Sequence, residues 1–512
     1  MIPIVRKKQM QSLDAYMMEQ MRIPSRVLME NAAFGITTVV WDRFGKTKVL
    51  VLCGMGNNGG DGFAAARQLE AKGCDVRVCL VGKAEALQGE AAENAAYFGS
   101  RIFEIVSEGT AEALLTDLSG QVLIDALFGV GLKHEVTGLY QRVIELVNES
   151  GAYVVACDIP SGIDADTGAM MGAAVLAHET VTFQCAKPGH FLYPGRKYTG
   201  KLTVKEIGTT GEYNVGQIRA AVEGLKLLPR DADSHKGSFG KLACIVGSTG
   251  YSGAGLLCVS GALRAGAGLV TAGIPACLQP IFSSRIPESL TYALEDSSGH
   301  LSEHCVPALE QLLEGKTALA AGPGLGTGSG PAAAVEYMIK NHDIKKVFDA
   351  DALTLIAENK SWLAERRGDV VLTPHLGEFS RLCNLTVDEI KNDMLTCAQI
   401  FAQKYGITLL LKGPTTLVTS GDKTVFVTAG TPGMARGGSG DVLTGVIGSL
   451  MCGGHGGGMS GFAAAVYGAF ICGKAGELAA KDCGVLSMTP ADTLANIPLV
   501  TRDMVKQLPA KS

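Results

Sequence analysis

Charge, aromatic rings and paired cysteines are all scarce in this sequence. Of its 512 residues 19% are charged and 6% aromatic, with a formal net charge of −5 and a pI near 6.0. That balance leaves no basic footprint and argues against nucleic acid as a partner. Anionic small molecules stay open, because backbone amides bind phosphate without net positive charge. The 14 cysteines stand singly, with no CxxC pair and no His partner at zinc spacing. Most sit in apolar runs, as Cys79 and Cys157 do, and read as small buried hydrophobes of a reducing compartment. No run of about 18 apolar residues occurs, so no membrane partner is expected. The opening MIPIVRKKQMQSLDAYMMEQ lacks the apolar core of a signal peptide. A soluble, cytoplasmic chain follows as the expectation. A hydrophobic fraction of 47% excludes disorder, and 18 prolines without a three-residue glycine period exclude a collagen-like fibre.

What the chain has in surplus is glycine: 66 residues, close to double the usual share of about 7%. The length allows two to four domains at roughly 100–200 residues each. After a mainly helical 1–48, residues 48–73 (KVLVLCGMGNNGGDGFAAARQLEAKG) give a buried strand, a Gly-rich turn and an amphipathic helix. Short apolar runs at 76–82, 122–129, 153–160, 180–189 and 202–208 follow, separated by helical patterns such as 133–150. Continuous apolar strands alternating with helices predict an α/β fold with a parallel sheet covered on both faces. The polar stretch 209–234 lacks periodicity and is the candidate linker, and from His235 a second α/β series begins. No internal repeat is found.

GMGNNGGDG (54–62) joins a buried strand to a helix, where glycines permit positive φ and helix-start amides face a phosphate. It does not read as the dehydrogenase signature, with its acidic residue about 20 positions on. Asn57, Asn58 and Asp61 are more polar groups than a helix cap requires. Asp125 and Asp158 close two further strands, where a doubly wound sheet places its ligands. Each alone is as readily the cap of its turn; three such sites on consecutive strand ends point to a shared pocket.

Here the residues resemble a known family. IPSRVLMENA (23–32), GNNGGDGFAAAR (56–67), DALFGVGL (125–132), DIPSGIDADTG (158–168) and TVTF with AKPGH (180–190) are similar to the epimerase domain of NAD(P)H-hydrate repair enzymes. The resemblance implies that Asn57, Asn58, Gly59, Gly60 and Asp61, with Gly129, Val130, Gly131, Leu132, Lys133, His134 and Glu135, contact the hydrated nucleotide. It implies a potassium ion at Asn58, Asp125 and Ser161, and substrate contact at Asp158, the candidate acid/base. Lys187, in the AKPGH segment, reads first as an ordinary surface lysine, with a nearby cation as the alternative.

In the second series, GGSGD (437–441) opens a helix whose amides suit a transferring phosphoryl group, with Asp441 behind them to accept a hydroxyl proton. The alternative is a Gly-rich turn with Asp441 as its cap. Lys412 ends the strand LLLKGPTT, and no GxxxxGK[ST] occurs. His375 and Glu378 in LTPHLGEF read on their own as a satisfied histidine and a helix cap. Together with HKGSFGKLACIVGSTGYSGAG (235–255), AAGPGLGTG (320–328), DADAL (349–353) and MTPADTLANIP (488–498), these segments resemble the ribokinase-like ADP/ATP-dependent NAD(P)H-hydrate dehydratases. That resemblance implies substrate contacts at Ala254, Gly324, His375 and Asp441. It implies adenine-nucleotide contacts at Lys412, Gly413, Pro414, Thr415, Thr416 and Gly440, with Mg²⁺ and ADP or ATP.

The two resemblances follow the order of the fused repair enzymes. They imply a Rossmann-like three-layer αβα domain over 1–215 and a ribokinase-like α/β domain over 225–505, in a chain expected to be homo-oligomeric. The rival is a ribokinase-like kinase of a vitamin precursor carrying a non-catalytic N-terminal ligand-binding module. The glycine cluster 453–458 fits no motif.

Overall fold

A computed structural model describes residues 1–208, 216–454 and 457–506. Residues 209–215 of the expected linker and 455–456 of the cluster at 453–458 lie outside the described residues. The chain divides into two compact units between Ile218 and Arg219.

The first unit is built on seven strands: β1 (Lys48–Cys53), β2 (Asp75–Val81), β3 (Ile102–Ile105), β4 (Val122–Ala126), β5 (Tyr153–Cys157), β6 (Glu179–Phe183) and β7 (Lys201–Lys205). All pair in parallel, in the order 3-2-1-4-5-6-7. Helices α1 (Lys7–Glu19), α2 (Ser25–Phe44), α3 (Asn57–Ala71) and α4 (Gly138–Glu149) belong to this unit. β1 explains the continuous apolar runs. Its Val49, Val51 and Cys53 share a core with α1, α2 and α3, while Leu50 and Leu52 share another with α4. Both faces are covered, so the interior positions of β1 on either side contribute hydrophobic burial, roughly 1.5–3 kcal/mol for each enclosed Val or Leu side chain. Strand order reverses between β1 and β4, and their carboxyl ends open a crevice there. Gly54, Gly56 and Gly59 do spell a GxGxxG spacing, but β2 ends in Val81 followed by Gly82 and Lys83, and Asp75 opens that strand at its other end. No acid stands where a dehydrogenase holds its ribose. The helix expected over 133–150 begins only at Gly138, because 129–137 is loop that walls the crevice.

In the second unit, β8 (Lys241–Ile245), β9 (Leu269–Pro275), β10 (Leu290–Leu294), β11 (Ala318–Ala321), β12 (Lys345–Phe348), β13 (Val370–Leu372), β14 (Thr408–Leu411), β15 (Thr416–Thr419) and β16 (Thr424–Val427) lie in one sheet. These run in the order 10-9-8-11-12-13-14-15-16. Pairing is parallel as far as β14 and antiparallel beyond it. Helices α5 (Ser252–Arg264), α6 (Leu376–Cys383), α7 (Ser439–Cys452) and α8 (Gly461–Cys483) frame the part that matters here. α7 is buried from Val442 to Cys452 and crosses α5 at backbone distance: a Cβ on Gly445 would lie 1.9 Å from the Cys258 carbonyl oxygen. Part of the glycine surplus therefore serves helix packing. None of the 14 cysteines is in a disulfide. No helix among the described residues is long and apolar enough to cross a membrane.

Candidate active sites

The crevice of the first unit is a cleft of ≈ 920 Å³. Its floor is the turn from β1 into α3. A Cβ on Gly54 would lie 2.0 Å from the Leu127 carbonyl oxygen, and one on Gly59 would lie 1.9 Å from that of Gly54. No glycine between 54 and 62 has a positive φ. The freedom expected of this turn is thus not used; glycine is required because β1, β4 and the helix start meet backbone to backbone.

Asn57, Asn58 and Asp61 line the cleft, as do Gly129, Val130, Gly131, Leu132, Lys133, His134 and Glu135, with Asp158 and Lys187 opposite. Gly59 and Gly60 lie behind it, the latter against the Met29 side chain. Asp125 and Ser161 are fully buried beneath it. Asp125 accepts from Ser161 through Oγ at 2.6 Å and backbone N at 2.9 Å, and from the Leu127 N–H at 3.3 Å. Burial raises the Asp125 carboxyl to about 6 even so, against those hydrogen bonds. Among the described residues, the buried amide nitrogen of Asn58 has no partner.

Asp158 follows β5 with φ +68°, a left-handed conformation rare for Asp. It turns its carboxylate onto the Lys187 ammonium, itself 1% exposed. Thr182 Oγ1 donates to the same carboxylate at 3.0 Å and accepts from Lys187 Nζ at 2.8 Å. Lys187 is therefore no surface residue. Burial pushes the Asp158 carboxyl up, but the charge and hydrogen bond of Lys187, helped by Thr182, outweigh it and hold the group below the usual carboxylate range. His190 Nδ1 accepts from the Lys187 N–H at 3.1 Å, which leaves Nε2–H to donate to the Asp158 carbonyl at 2.9 Å. Burial, then the lysine charge, lower this imidazole to about 3, so it is neutral.

Two further acids face this pair. Asp61 is raised well above the carboxylate range by burial and then by the charges of Asp158 and Asp14. Asp14, on α1, is raised to about 6, chiefly by burial. Asp14 escaped the sequence reading, although a signal exists: it falls at helical spacing beside Met10, Leu13 and Met17, all buried.

In the second unit the strand ends converge on the start of α7. Asp349, beyond β12 and 1% exposed, accepts from Lys412 Nζ at 2.7 Å and from Thr444 Oγ1 at 2.8 Å. Burial raises the Asp349 carboxyl, yet Lys412 and Thr444 bring it below its ordinary value. Lys412 is thus ion-paired and largely enclosed. Gly440 leaves room for the pair, since a Cβ there would lie 3.2 Å from both Asp349 Oδ2 and Lys412 Nζ. Asp441, the next residue, is raised to about 7 by burial and by Asp349, with Lys412 opposing. Gly324 has φ +63° and lies beside Ala254, 3.2 Å from its Cβ by the same measure. Gly326 N–H donates to Asp351 at 2.8 Å, and Asp351 adds to the negative field at Asp441. His375 caps α6: its Nδ1 accepts from the N–H of Gly377 and Glu378 at 3.0 and 3.3 Å, and Glu378 Oε2 accepts from the His375 N–H at 2.7 Å. That leaves the outer edge of the ring exposed. Of the 412–416 segment, Gly413 and Pro414 are exposed, Thr415 is buried and Thr416 opens β15. Asp349 is the residue whose part was missed; DADAL was visible, but not that its first Asp would seize Lys412.

Comparison with known proteins covers both units. A family model described as NAD(P)H-hydrate dehydratase matches residues 242–499, and one described as YjeF-related protein N-terminus matches 25–189. A bifunctional NAD(P)H-hydrate repair enzyme of Moorella thermoacetica is 36% identical, covering 99% of this chain and 98% of its own. One from Thermofilum pendens is also 36% identical, over 98% and 96%. A solved ADP/ATP-dependent NAD(P)H-hydrate dehydratase of Bacillus subtilis, co-crystallised with ATP and Mg²⁺, is 27% identical. It covers 55% of this chain and 95% of that one, with a TM-score of 0.46. With two relatives 36% identical and matched almost end to end, this chain belongs to the family of bifunctional NAD(P)H-hydrate repair enzymes.

Proposed function

We propose that the chain repairs hydrated NADH and NADPH at two sites. Residues 1–215 interconvert the R and S hydrates, and residues 225–505 dehydrate the S epimer with ADP or ATP as phosphoryl donor. The observation that carries this reading is the pairing, in one chain, of the 54–61/129–135/158 cleft with the Asp349–Lys412–Asp441 cluster. A vitamin-precursor kinase has no use for the first, and a relative matched over nearly the whole chain is a bifunctional NAD(P)H-hydrate repair enzyme by name.

For the dehydratase, Asp441 takes the proton of the substrate hydroxyl, and the oxygen attacks the terminal phosphorus of the nucleotide, expelling AMP or ADP. The phosphate ester then leaves with its electron pair, pushed by the ring nitrogen, and loss of a neighbouring C–H proton restores the dihydronicotinamide. A carboxyl near 7 suits a base at neutral pH. Lys412, kept charged by Asp349 and Glu378 against its burial, and the amides opening α7 face the phosphates. Among the described residues no group of three or more His, Cys, Asp or Glu forms a metal cage. Mg²⁺ carried in on the nucleotide phosphates would screen their charge.

In the epimerase cleft, Asp158 and Asn57 to Asp61 hold the hydrated ring. A potassium ion fits at Asn58, Asp125 and Ser161. The unpartnered Asn58 amide can present its oxygen without losing a hydrogen bond, and a buried carboxylate raised by desolvation gains most from a cation. We also propose a cytoplasmic homo-oligomer, which light scattering of the full chain reads directly.

The test is incubation with hydrated NADH, Mg²⁺ and either ADP or ATP, following the reduced-nicotinamide absorbance. Recovery is expected and Asp441→Ala abolishes it; absence of recovery with both nucleotides overturns the dehydratase assignment. For the first domain the corresponding expectation is that Asp158→Asn, with folding intact, weakens hydrate binding and so slows epimerisation at subsaturating substrate.

A further inference from the structure

Epimerisation needs a group that picks up and returns a proton, and the pinned geometry of Asp158 does not suit it. Its carboxylate is held by the Lys187 ammonium and by Thr182 Oγ1. Taking a proton there means breaking a buried ion pair.

Asp14 is differently placed. It lines the same cleft, on a helix anchored over it: Lys7 at the start of α1 donates its backbone N–H to Asp166 Oδ1 at 2.7 Å and its Nζ to the Leu132 carbonyl at 3.2 Å. Met10, Leu13 and Met17 seat the helix in the core, which turns the half-buried Asp14 inward. Among the described residues, the Asp14 carboxyl has no hydrogen-bond or ion-pair partner. The charged groups sharing the cleft are Asp61 on α3 and the Asp158–Lys187 pair, with Glu90 and the loop residues Lys133, His134 and Glu135 further along its wall.

The substrate supplies the other half. Water adding across the enamine double bond of a dihydronicotinamide places the hydroxyl on the carbon bonded to the ring nitrogen, so the hydrate is a cyclic hemiaminal. Inverting that carbon requires its C–N bond to open and close again. We infer that Asp14 is the proton carrier of the epimerase, moving one proton between the hydroxyl oxygen and the ring nitrogen of the hydrated ring. Asp14 enters as carboxylate and takes the O–H proton; the oxygen's electron pair forms C=O as the C–N bond breaks. The electron pair left on nitrogen accepts the proton from Asp14. Rotation about the adjacent C–C bond presents the opposite face of the aldehyde, and the reverse transfers close the ring as the other epimer. Atoms and electrons balance with no further reactant.

This inference rests on the epimerase reading of the cleft, and the experiment separates the two. Full-length wild type and Asp14→Asn, Asp14→Glu and Asp158→Asn variants are given the pure R hydrate, and S hydrate is followed by NMR without nucleotide. Asp14→Asn is expected to lose at least 100-fold in kcat with little change in KM. Asp14→Glu recovers part of the rate, and Asp158→Asn raises KM. The wild-type rate rises with pH through about 6 and levels off, matching the burial-raised Asp14 carboxyl, and this limb is absent in Asp14→Asn. In a Trp362→Phe background, the urea midpoint of Asp14→Asn followed through Trp41 is unchanged from wild type, which excludes misfolding as the cause. A wild type that does not epimerise overturns the reading of the cleft. An Asp14→Asn variant with undiminished kcat, or one that loses only KM, overturns the proton-carrier role alone.

Discussion

Replacing Lys187 by Met removes one half of a buried ion pair and keeps its volume. Lys187 is 1% exposed, its ammonium meets Asp158, and Thr182 bridges the two. Deleting one partner of such a pair costs about 3–5 kcal/mol, since the other charge is left buried without compensation. At about 1.4 kcal/mol per pH unit, that cost is met instead by protonation if the Asp158 pKa climbs roughly 2–4 units. In wild type the folded-state pKa of Asp158 is depressed, so its contribution is full above the unfolded value near ~3.9 and is lost as pH falls through the lower folded value. In Lys187→Met burial acts unopposed and the folded pKa lies above the unfolded one. Stability then falls as pH rises from about 4 towards the new pKa, a slope of the opposite sign. Trp41 lies in α2 of the first unit and Trp362 in the second. In a Trp362→Phe background, urea unfolding followed by fluorescence therefore reports the first unit alone, as a two-unit chain requires. The variant should lose about 3–5 kcal/mol at neutral pH and much less near pH ~4.5, and Asp158→Asn/Lys187→Met should regain most of the loss. A deficit below about 1 kcal/mol with an unchanged pH slope would refute the pinned-pair argument.

Other outcomes follow from the same contacts. Gly59→Ala forces a Cβ to within 1.9 Å of the Gly54 carbonyl oxygen, whereas Gly56→Ala meets open space. The first should destabilise the unit by about 1–3 kcal/mol and stop epimerisation, and the second should do neither, by unfolding and rate measurements together. Dehydratase kcat/KM should rise with pH through about 7, because Asp441 must enter as carboxylate. Asp441→Asn should flatten that profile and lower it at least 100-fold. Asp349→Asn frees Lys412 and Thr444 and should raise the nucleotide KM by roughly 10- to 100-fold, the worth of a hydrogen bond to a charged group. An unchanged KM in a nucleotide titration would mean Lys412 is held by other contacts.

The sheet of the first unit was legible because its central strands are buried on both faces, so KVLVLC and VLIDA carry their own signature as unbroken apolar runs. The strand-end carboxylates were legible for a related reason: an Asp closing such a run has no place in the core. What could not be read was which acids would be neutralised. Lys187 and Asp158 are separated by 28 intervening residues, and only the adjacency of β5 and β6 in the sheet brings them together. The same holds for Asp349 and Lys412, which sit beyond β12 and β14 with β13 between those strands. Asp14 was obscured differently. It lies on a helix whose burial is invisible until α1 is laid over the cleft. The glycines misled in mechanism, not in place: 54–62 was found, but backbone approach rather than positive φ is what requires them.

The two clefts share one electrostatic logic on different folds of chain. Each has an Asp just past a strand end pinned by a lysine from another strand end, Asp158 by Lys187 and Asp349 by Lys412. Each has a second Asp nearby that no lysine touches, raised to about 6 in Asp14 and about 7 in Asp441. To the second acid the pair is almost a neutral dipole, its ammonium lowering and its carboxylate raising the pKa, so burial decides the value. Two neighbouring carboxyls without the lysine would share one proton between them and titrate as a coupled pair, with neither assigned a role. The lysine breaks that symmetry: it commits one carboxyl to permanent charge and leaves the mobile proton to the other. Removing it therefore does more than delete an ion pair. It turns an assigned base into half of a dyad, and the pH–rate profile of each activity should broaden into two steps where the wild type shows one.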